Sequence, residues 1–438
     1  MYVALNHKSE KFSKLILMLP IVFFLFPRPG LPGGQFITYP MIGLLIVVTV
    51  LLSKRKESLF SFDKNFLFLN ATLYLYTLSI AISMLYNSGE VSISGFTHVA
   101  KPIFFMLIFY FGYFVSRNKN IEVIKQSFLK MAYIILIFQL ITGLAQLIDI
   151  SAFSYVYSSD KTRPLGSMVR IAGTMGNPNI FAWLVIQMAT IILMFEKRKF
   201  MKYIWIALSI ILVFLSGSRS SLILMPIVLV FVSMISNRKT VVFYFIKIPM
   251  YLLILFLFAK LSYWFIYNYG DHFPYLYQLL SIFDSGSLTS VNSFYLRTLM
   301  WDNGLSQLGN SPLSWLFGVG PGIITEMDND YLYALTNYGL LFMFFHIVLY
   351  ISIFIFFSRV KDSKLRTLGQ QYIIFSMAVG IQADTLVGWT YPILILFYAG
   401  VVVSILRIQR YNKNTYEEVA LDKSVAKKKI KKRYRLTW

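Results

Sequence analysis

Runs of about 20 mostly apolar residues recur along almost the whole chain, and an α-helix needs a run of that length to cross a lipid bilayer. Of the 438 residues, 57% are hydrophobic and only 14% are charged, whereas about 25% are charged in soluble domains. A water-soluble fold would lack the charged side chains to cover its surface. The sequence therefore predicts an all-α, polytopic membrane protein.

About twelve such runs occur, and they predict about twelve transmembrane helices in one integral membrane domain, residues 1–438. In chain order they are 15–26, 36–52, 66–85, 99–115, 128–148, 179–195, 201–215, 221–235, 241–259, 331–357, 371–387 and 392–406. The first run resembles a signal peptide, but no small-residue cleavage site follows it. We interpret it as a retained helix.

Lysine and arginine are concentrated in alternate connections between these runs, at residues 54–64, 117–125, 197–202, 238–239 and 359–366. Connections rich in these residues face the cytoplasm. The pattern places both termini in the cytoplasm, with a basic tail at 407–438 that faces anionic lipids. It also predicts two long extracytoplasmic loops, at 149–178 and 261–330, of which the second is the larger.

The composition excludes several kinds of chemistry. The chain has no cysteine, which excludes disulfides, cysteine zinc sites and thiol nucleophiles. Its four histidines form no spaced metal motif. Much of the formal net charge of +22 lies in the tail, where membrane lipids are the expected partner. We predict no metal, no cofactor and no nucleic-acid partner.

Four arginines lie on the side where the charge rule expects few cations. Arg163 and Arg170 lie in the first long loop, Arg219 in the tight turn 216–221, and Arg297 in the large loop. An arginine near the bilayer costs free energy unless its charge meets an anion. Each can snorkel to lipid phosphate or pair with an acid. Alternatively they form a phosphate clamp, because guanidinium presents a planar fork to phosphate oxygens.

The segment 170–179 has the pattern of a helix start next to a close backbone approach. Gly173 and Gly176 permit that approach, Asn177 can cap a helix, and Pro178 suits its first turn. Taken alone, the segment indicates only a well-formed helix start.

Three elements in order resemble the superfamily of O-antigen and capsule polymerases (Wzy-type) and lipopolysaccharide ligases. They are the segment 170–179, then Ser-Gly-Ser-Arg at 216–219, then Gly318-Val-Gly320 followed by 328–340 entering a span. The resemblance implies a membrane glycosyltransferase of the GT-C-like class in the bacterial cytoplasmic membrane. It implies a substrate of sugars linked through pyrophosphate to undecaprenol, used at the outer face, and a chain-length regulator as a further partner.

The implied leaving group is an anionic pyrophosphate, and outside arginines are suited to stabilise its charge as the bond breaks. On this interpretation the pyrophosphate site consists of Arg170, Arg219 and Arg297, with Lys101 as a further cation. The candidate substrate-binding residues are Asn177, Asn179, Ser218 and Asn329.

Asp328 and Asp330, at the entry to the tenth span, are the candidate catalytic residues. In a functional interpretation, one of them accepts the proton of the acceptor hydroxyl. In a structural interpretation, they stabilise a helix N-terminus by capping and by the helix dipole. Their Asp-x-Asp spacing is a weak match to a metal site. Ligases of the superfamily carry a histidine near this position, which this chain replaces with acids and Asn329, and the difference favours a polymerase.

Two other functions stay open. A ligase would move finished polysaccharide to lipid A core. A flippase for lipid-linked oligosaccharide would belong to a different class, in which ionisable groups and broken helices lie at the midplane, often within repeats. We find no repeat, and the polar groups gather on one face.

Overall fold

The structure is a computed structural model that describes residues 20–25, 43, 63–87, 96–117, 119–148, 150, 157, 170–236, 248–269, 292–309, 311–324, 327–381 and 391–410. These residues are helical with short connections and include no strand. Most of the second predicted span, most of the loop 149–178 and the tail beyond residue 410 lie outside them.

We number the described α-helices in chain order. They are α1 Ile21–Leu25, α2 Lys64–Tyr86, α3 Phe96–Ser116, α4 Ile121–Leu147, α5 Pro178–Phe195, α6 Lys199–Leu215, α7 Arg219–Ser236, α8 Ile248–Tyr269, α9 Asn292–Ser306, α10 Pro312–Phe317, α11 Asp330–Ser358, α12 Ser363–Gly380 and α13 Tyr391–Arg410. A short 3-10 helix, Gly173–Met175, precedes α5.

Six of these helices are long and apolar enough to cross a membrane: α2, α3, α4, α5, α11 and α13. They coincide with six of the predicted spans and make the chain a polytopic, membrane-embedded helical protein. α7 is apolar but shorter. α8 continues to Tyr269, beyond the predicted end at residue 259. Within it, the ammonium of Lys260 lies over the ring of Phe256 one turn earlier.

α13 is the central helix of the bundle, and almost all of it is buried. It crosses α3 at close range where Gly112 faces the backbone of Phe397 and Gly400 faces the backbone of Phe109. A side chain at either glycine would collide with a carbonyl oxygen of the other helix. The outer helices α2 and α4 instead expose leucine, isoleucine and phenylalanine, as lipid-facing surfaces do.

Ion pairs between helix termini define one end of the bundle. Lys125 of α4 pairs with Asp362 before α12, and Arg410 of α13 pairs with Asp63 before α2, both at 2.6 Å. The connections that carry Arg117, Arg198 and Arg359 lie at the same helix ends. We call this the basic end. Basic connections predicted from the sequence to share one side of the membrane therefore gather at one end of the fold.

The opposite end, which we call the site end, is formed by the other termini of the same helices. Asn87, after α2, donates to the carbonyl of Gly318 at 3.2 Å. Asn329, before α11, donates to the carbonyl of Ile381, after α12, at 3.1 Å. The arginine-bearing turns and the described segments 318–324 and 327–330 lie here.

α11 is broken at Gly339, where φ is 80° and ψ is −179°. A Cβ at this position would lie 2.3 Å from the carbonyl oxygen of Leu316, so α10 approaches the break too closely for any other residue. The break leaves the carbonyls of Thr336 and Asn337 to accept from the N–H groups of Val319 and Gly320, at 2.8 and 3.1 Å.

Labelling of single cysteines tests the two ends, because the chain has no cysteine of its own. Ser306→Cys at the site end and Ser363→Cys at the basic end both replace exposed serines. An impermeant maleimide added to intact cells should label Ser306→Cys at once, and Ser363→Cys only after the membrane is opened. Labelling of both variants from outside would contradict the orientation.

Candidate functional site

Arg170 is held against the turn between α6 and α7. Its Nε donates to the carbonyl of Ser216 at 2.9 Å, and the backbone N–H of Ile171 donates to the carbonyl of Leu215 at 3.2 Å. Gly217 has φ of 62°, and a Cβ there would lie 3.1 Å from the Nε of Arg170. The first and second sequence motifs, 170–179 and 216–219, are therefore in direct contact.

Arg219 begins α7 and extends this contact towards the large loop. It is partly buried, and burial together with the positive charge of Arg297 lowers its pKa. Arg297 of α9 in turn donates from Nε and Nη2 to one carboxylate oxygen of Asp328, both at 3.2 Å. Arg170, Arg219 and Arg297, which we call the arginine cluster, thus converge on one region of the site end.

The convergence of Arg219 and Arg297 costs electrostatic free energy, because two guanidinium groups keep their charge in any ordinary protein environment. Asp328 offsets part of the charge, but its side chain is 49% exposed to solvent, where an ion pair contributes about 0–1 kcal/mol. Such a group of cations is suited to hold an anion with several oxygens between them.

The backbone before α5 is fixed by two glutamines of α4 that the sequence reasoning did not identify. The Oε1 of Gln146 accepts from the N–H groups of Ala172 and Gly173, both at 2.9 Å, and its Nε2 donates to the carbonyl of Gly173 at 2.9 Å. Gln139 accepts from the N–H of Thr174 at 3.0 Å and donates to its hydroxyl at 2.6 Å.

Gln139 and Gln146 are buried and lie seven residues apart, so they share one face of α4. The signal that could have identified them is this pair of amides at helical spacing within an apolar run. Their side chains replace the water that non-helical backbone would need inside a membrane. They hold the segment that carries Arg170 at one end and the start of α5 at the other.

Asn177 and Asn179 lie at the start of α5. Asn177 caps the helix by accepting from the N–H groups of Asn179 and Ile180, with Pro178 in the first turn, as the sequence predicted. The Oδ1 of Asn179 accepts from Nη2 of Arg170 at 3.4 Å. Asn179 thus orients the guanidinium. The capping bonds give Asn177 a structural role, and a substrate role for it stays a prediction.

Ser218 lies between Gly217 and Arg219 and is 1% exposed. Its hydroxyl donates to the hydroxyl of Ser221 at 2.9 Å, and its N–H donates to the hydroxyl of Ser216 at 3.1 Å. These bonds fix the tight turn predicted at 216–221. Contact between Ser218 and a substrate stays a prediction.

Asn329, rather than either aspartate, caps α11. Its Oδ1 accepts from the N–H groups of Tyr331 and Leu332, both at 3.0 Å. Asp328 precedes the cap in a left-handed conformation, with φ of 46°, and pairs with Arg297. Asp330 follows the cap. The capping role considered for the two aspartates therefore belongs to the residue between them.

Asp330 is 1% exposed and lies among tyrosines. Its charge acts on Tyr76 of α2, Tyr350 of α11 and Tyr391 of α13. Burying a carboxyl group in such a place costs free energy. Asp330 lies two residues after Asp328, whose carboxylate pairs with Arg297 of the arginine cluster.

The loop 318–324 is bound to the broken part of α11. The Oδ1 of Asn337 accepts from the N–H groups of Gly322 and Ile324, at 3.1 and 3.2 Å, and the N–H of Gly320 donates to the carbonyl of Asn337 at 3.1 Å. The third sequence motif thus folds onto the helix that it precedes, which positions Asp328 and Asp330.

Lys101 lies in α3, one turn after His98, whose Nδ1 forms a 2.6 Å hydrogen bond with the hydroxyl of Tyr338. This places Lys101 on a helix that borders the break in α11. A role for it in binding pyrophosphate stays a prediction. Within the described part of the chain, no three His, Asp or Glu side chains group closely enough to hold a metal ion.

The chain matches no protein-family model and no curated protein sequence.

Replacement of Gln146 tests how the segment 172–174 is held. Gln146→Leu would leave two backbone N–H groups and one carbonyl without their partner, at about 1–3 kcal/mol for each buried group. We expect a clear fall in the midpoint of thermal unfolding in detergent. Gln370→Leu, at a partly buried position bonded to Ser358, is the control and should change the midpoint less. Equal midpoints would contradict this interpretation.

Proposed function

We propose that the protein is a membrane glycosyltransferase that joins lipid-linked oligosaccharide repeat units into O-antigen or capsular polysaccharide. The donor is the growing glycan on undecaprenyl pyrophosphate, and the acceptor is the next lipid-linked repeat unit. The reaction takes place at the outer face of the bacterial cytoplasmic membrane, in a GT-C-like fold with about twelve membrane spans and both termini in the cytoplasm.

The observation that carries the proposal is the convergence of the arginine cluster with a buried carboxyl at one end of a membrane-embedded bundle. Arg170 contacts the turn of Arg219, the charge of Arg297 acts on Arg219, and Asp328 links Arg297 to the start of α11. The three sequence motifs behind the family resemblance thus form one site, although up to about 170 residues separate them.

The geometry supports separate roles for the arginine cluster and Asp330 during glycosyl transfer. An oxygen of the acceptor hydroxyl attacks the anomeric carbon, and the bond from that carbon to the pyrophosphate oxygen breaks, with its electron pair going to the phosphate. The arginine cluster stabilises this developing charge. Asp330 accepts the proton of the hydroxyl as general base. A chain without nucleotide-binding motifs fits this chemistry, because the lipid pyrophosphate is itself the activated leaving group.

A flippase for the same lipid-linked oligosaccharides is the second candidate, and the break in α11 at Gly339 favours it. Transporters use discontinuous helices to build substrate sites within the membrane. The two candidates differ in product. Purified protein in vesicles with lipid-linked repeat units forms new glycosidic bonds if it is a polymerase, and only moves the lipids if it is a flippase. A ligase would form bonds only when lipid A core is supplied.

Replacement of each clustered arginine tests the anion site. Arg170→Ala, Arg219→Ala and Arg297→Ala should each lower the rate of polymer formation, by about 100- to 1,000-fold for Arg219, because charge stabilisation is lost where the phosphate departs. Arginine-to-lysine variants should recover only part, because a point charge lacks the bidentate fork. The measurement is polymer length and amount at equal membrane levels of protein.

Arg359→Ala is the matched control, since Arg359 is exposed at the basic end with its guanidinium over the ring of Phe356. It should polymerise at the parental rate. Normal polymer from Arg219→Ala would refute the anion site.

Asp330→Asn tests the base. Since Asn329 supplies the cap, the substitution keeps both the shape and the helix start, and it removes the ability to accept a proton. We expect the rate to fall by about 100- to 10,000-fold. Asp328→Asn is the comparison. It weakens a half-exposed ion pair with Arg297 and should cost less than tenfold. If both variants polymerise at the parental rate, neither carboxylate is the base.

A further inference from the structure

A line of buried polar groups without hydrogen-bond partners leads away from Asp330 into the bundle. The hydroxyl of Tyr391, at the start of α13, interacts electrostatically with Asp330. It has no hydrogen-bond partner among the described protein groups. The ring of Tyr391 packs on that of Trp183 of α5, with centroids 3.9 Å apart, and the indole N–H of Trp183 likewise has no partner there.

Two glutamines continue the line at the middle of α5 and α12. Gln187 of α5 is 0% exposed and Gln371 of α12 is 1% exposed, and neither amide oxygen nor amide nitrogen bonds a described protein group. α5 and α12 are antiparallel and in contact. Gln187 lies nine residues after the start of α5 and Gln371 nine residues before the end of α12, so each lies near the midpoint of its helix.

The line reaches towards the basic end. Thr367 lies one turn before Gln371 and within the first two turns of α12, and its buried hydroxyl also has no partner in the described chain. We call Tyr391, Trp183, Gln187, Gln371 and Thr367 the polar seam. More than nine in ten buried polar groups in proteins have a hydrogen-bond partner, either protein or ordered water. An amide with four unmet bonding positions in lipid-embedded protein is especially costly.

We propose that ordered water fills the polar seam and carries away the proton that Asp330 accepts from the acceptor hydroxyl. Asp330 is 1% exposed and needs a route by which its carboxylate is restored after each transfer. The proton passes from the carboxyl group to the first seam water, each water passes one proton on, and the water beside Thr367 releases one proton to bulk solvent at the basic end, so that charge and atoms balance. Water bridges of this kind need polar partners at each step, which the five side chains supply. The proposal rests on the proposed function of Asp330.

Hydroxyl-radical footprinting by X-ray radiolysis tests the water directly, because it labels side chains beside bound water even where bulk solvent is excluded. Trp183 and Tyr391 should be labelled faster than Phe109, which is equally buried but packs on Phe66 and Gly400. The method needs no activity. Labelling of Trp183 and Tyr391 at the slow rate of Phe109 would show a dry seam and overturn the proposal, whatever reaction the protein catalyses.

Methionine variants test the relay. Gln187→Met and Gln371→Met keep volume and remove the amides. In the double variant we expect slower labelling of Trp183 and Tyr391, a rate of polymer formation about tenfold lower, an unchanged KM for the lipid-linked donor, and a larger solvent deuterium isotope effect. A merely structural defect would not enlarge that isotope effect. Leu184→Met, at a fully buried position of α5, is the packing control and should behave as the parental protein.

Two outcomes separate this proposal from the proposed function. If the seam is labelled but the double methionine variant polymerises at the parental rate with the parental isotope effect, the water is structural and the relay is wrong. If the parental protein itself makes no polymer, both the proton relay and the proposed glycosyltransferase activity are refuted. The footprinting result on seam water remains valid.

Discussion

Within a bilayer, every backbone N–H and carbonyl must find its partner in the protein, and the site depends on how this chain meets that demand. Two parts of the site end are not α-helical: the stretch 170–176, and the described residues 318–324 and 327–329. Gln139 and Gln146 bond the first, and Asn337 bonds the second. Three side-chain amides thus allow backbone that is not α-helical to enter a membrane-embedded bundle, and that backbone carries Arg170 and Asp328.

Glycine occurs where two segments of the site approach each other most closely. Gly217 adopts a left-handed φ and leaves room for the Arg170 side chain, and Gly339 lets α10 approach the break in α11. An alanine at either position would meet both a steric contact and an unfavourable φ. The approach of Arg170 to the turn of Arg219 is therefore a property of backbone shape as much as of charge.

Local sequence signals predicted the local parts of this structure well. Apolar runs located six spans, Asn177 and Pro178 indicated the start of α5, and the Ser-Gly-Ser-Arg turn was recognised at 216–219. The alternation of basic residues predicted which helix ends lie together. Each of these signals is contained within one run, one turn or one loop, so it can be interpreted without knowing which helices are neighbours.

The parts that sequence reasoning missed all depend on partners distant in the chain. Gln139 and Gln146 look like ordinary polar residues in a span until the segment 172–174 is placed against them, and Gly339 shows no break until α10 lies beside it. The pairing of Arg297 with Asp328 and the depth of Asp330 follow from the folding of the loop onto α11. A pattern of residue types does not encode these distances.

The segment 328–330 shows how one short sequence divides three roles that the pattern Asp-Asn-Asp left undecided. Asp328 adopts φ of 46°, a conformation that aspartate tolerates better than most residues, and its carboxylate meets Arg297. Asn329 then supplies the cap, so neither acid is consumed by the helix start. Asp330, the first helical residue, does not cap the helix and lies buried among tyrosines two residues from the ion pair.

An acid that both capped the helix and paired with an arginine would stay ionised and solvated, and it would be a poor base. Because the asparagine supplies the cap, one carboxylate pairs with Arg297 at a half-exposed position and the other is buried. The proposed anion binding and proton acceptance would require this separation of two neighbouring acids.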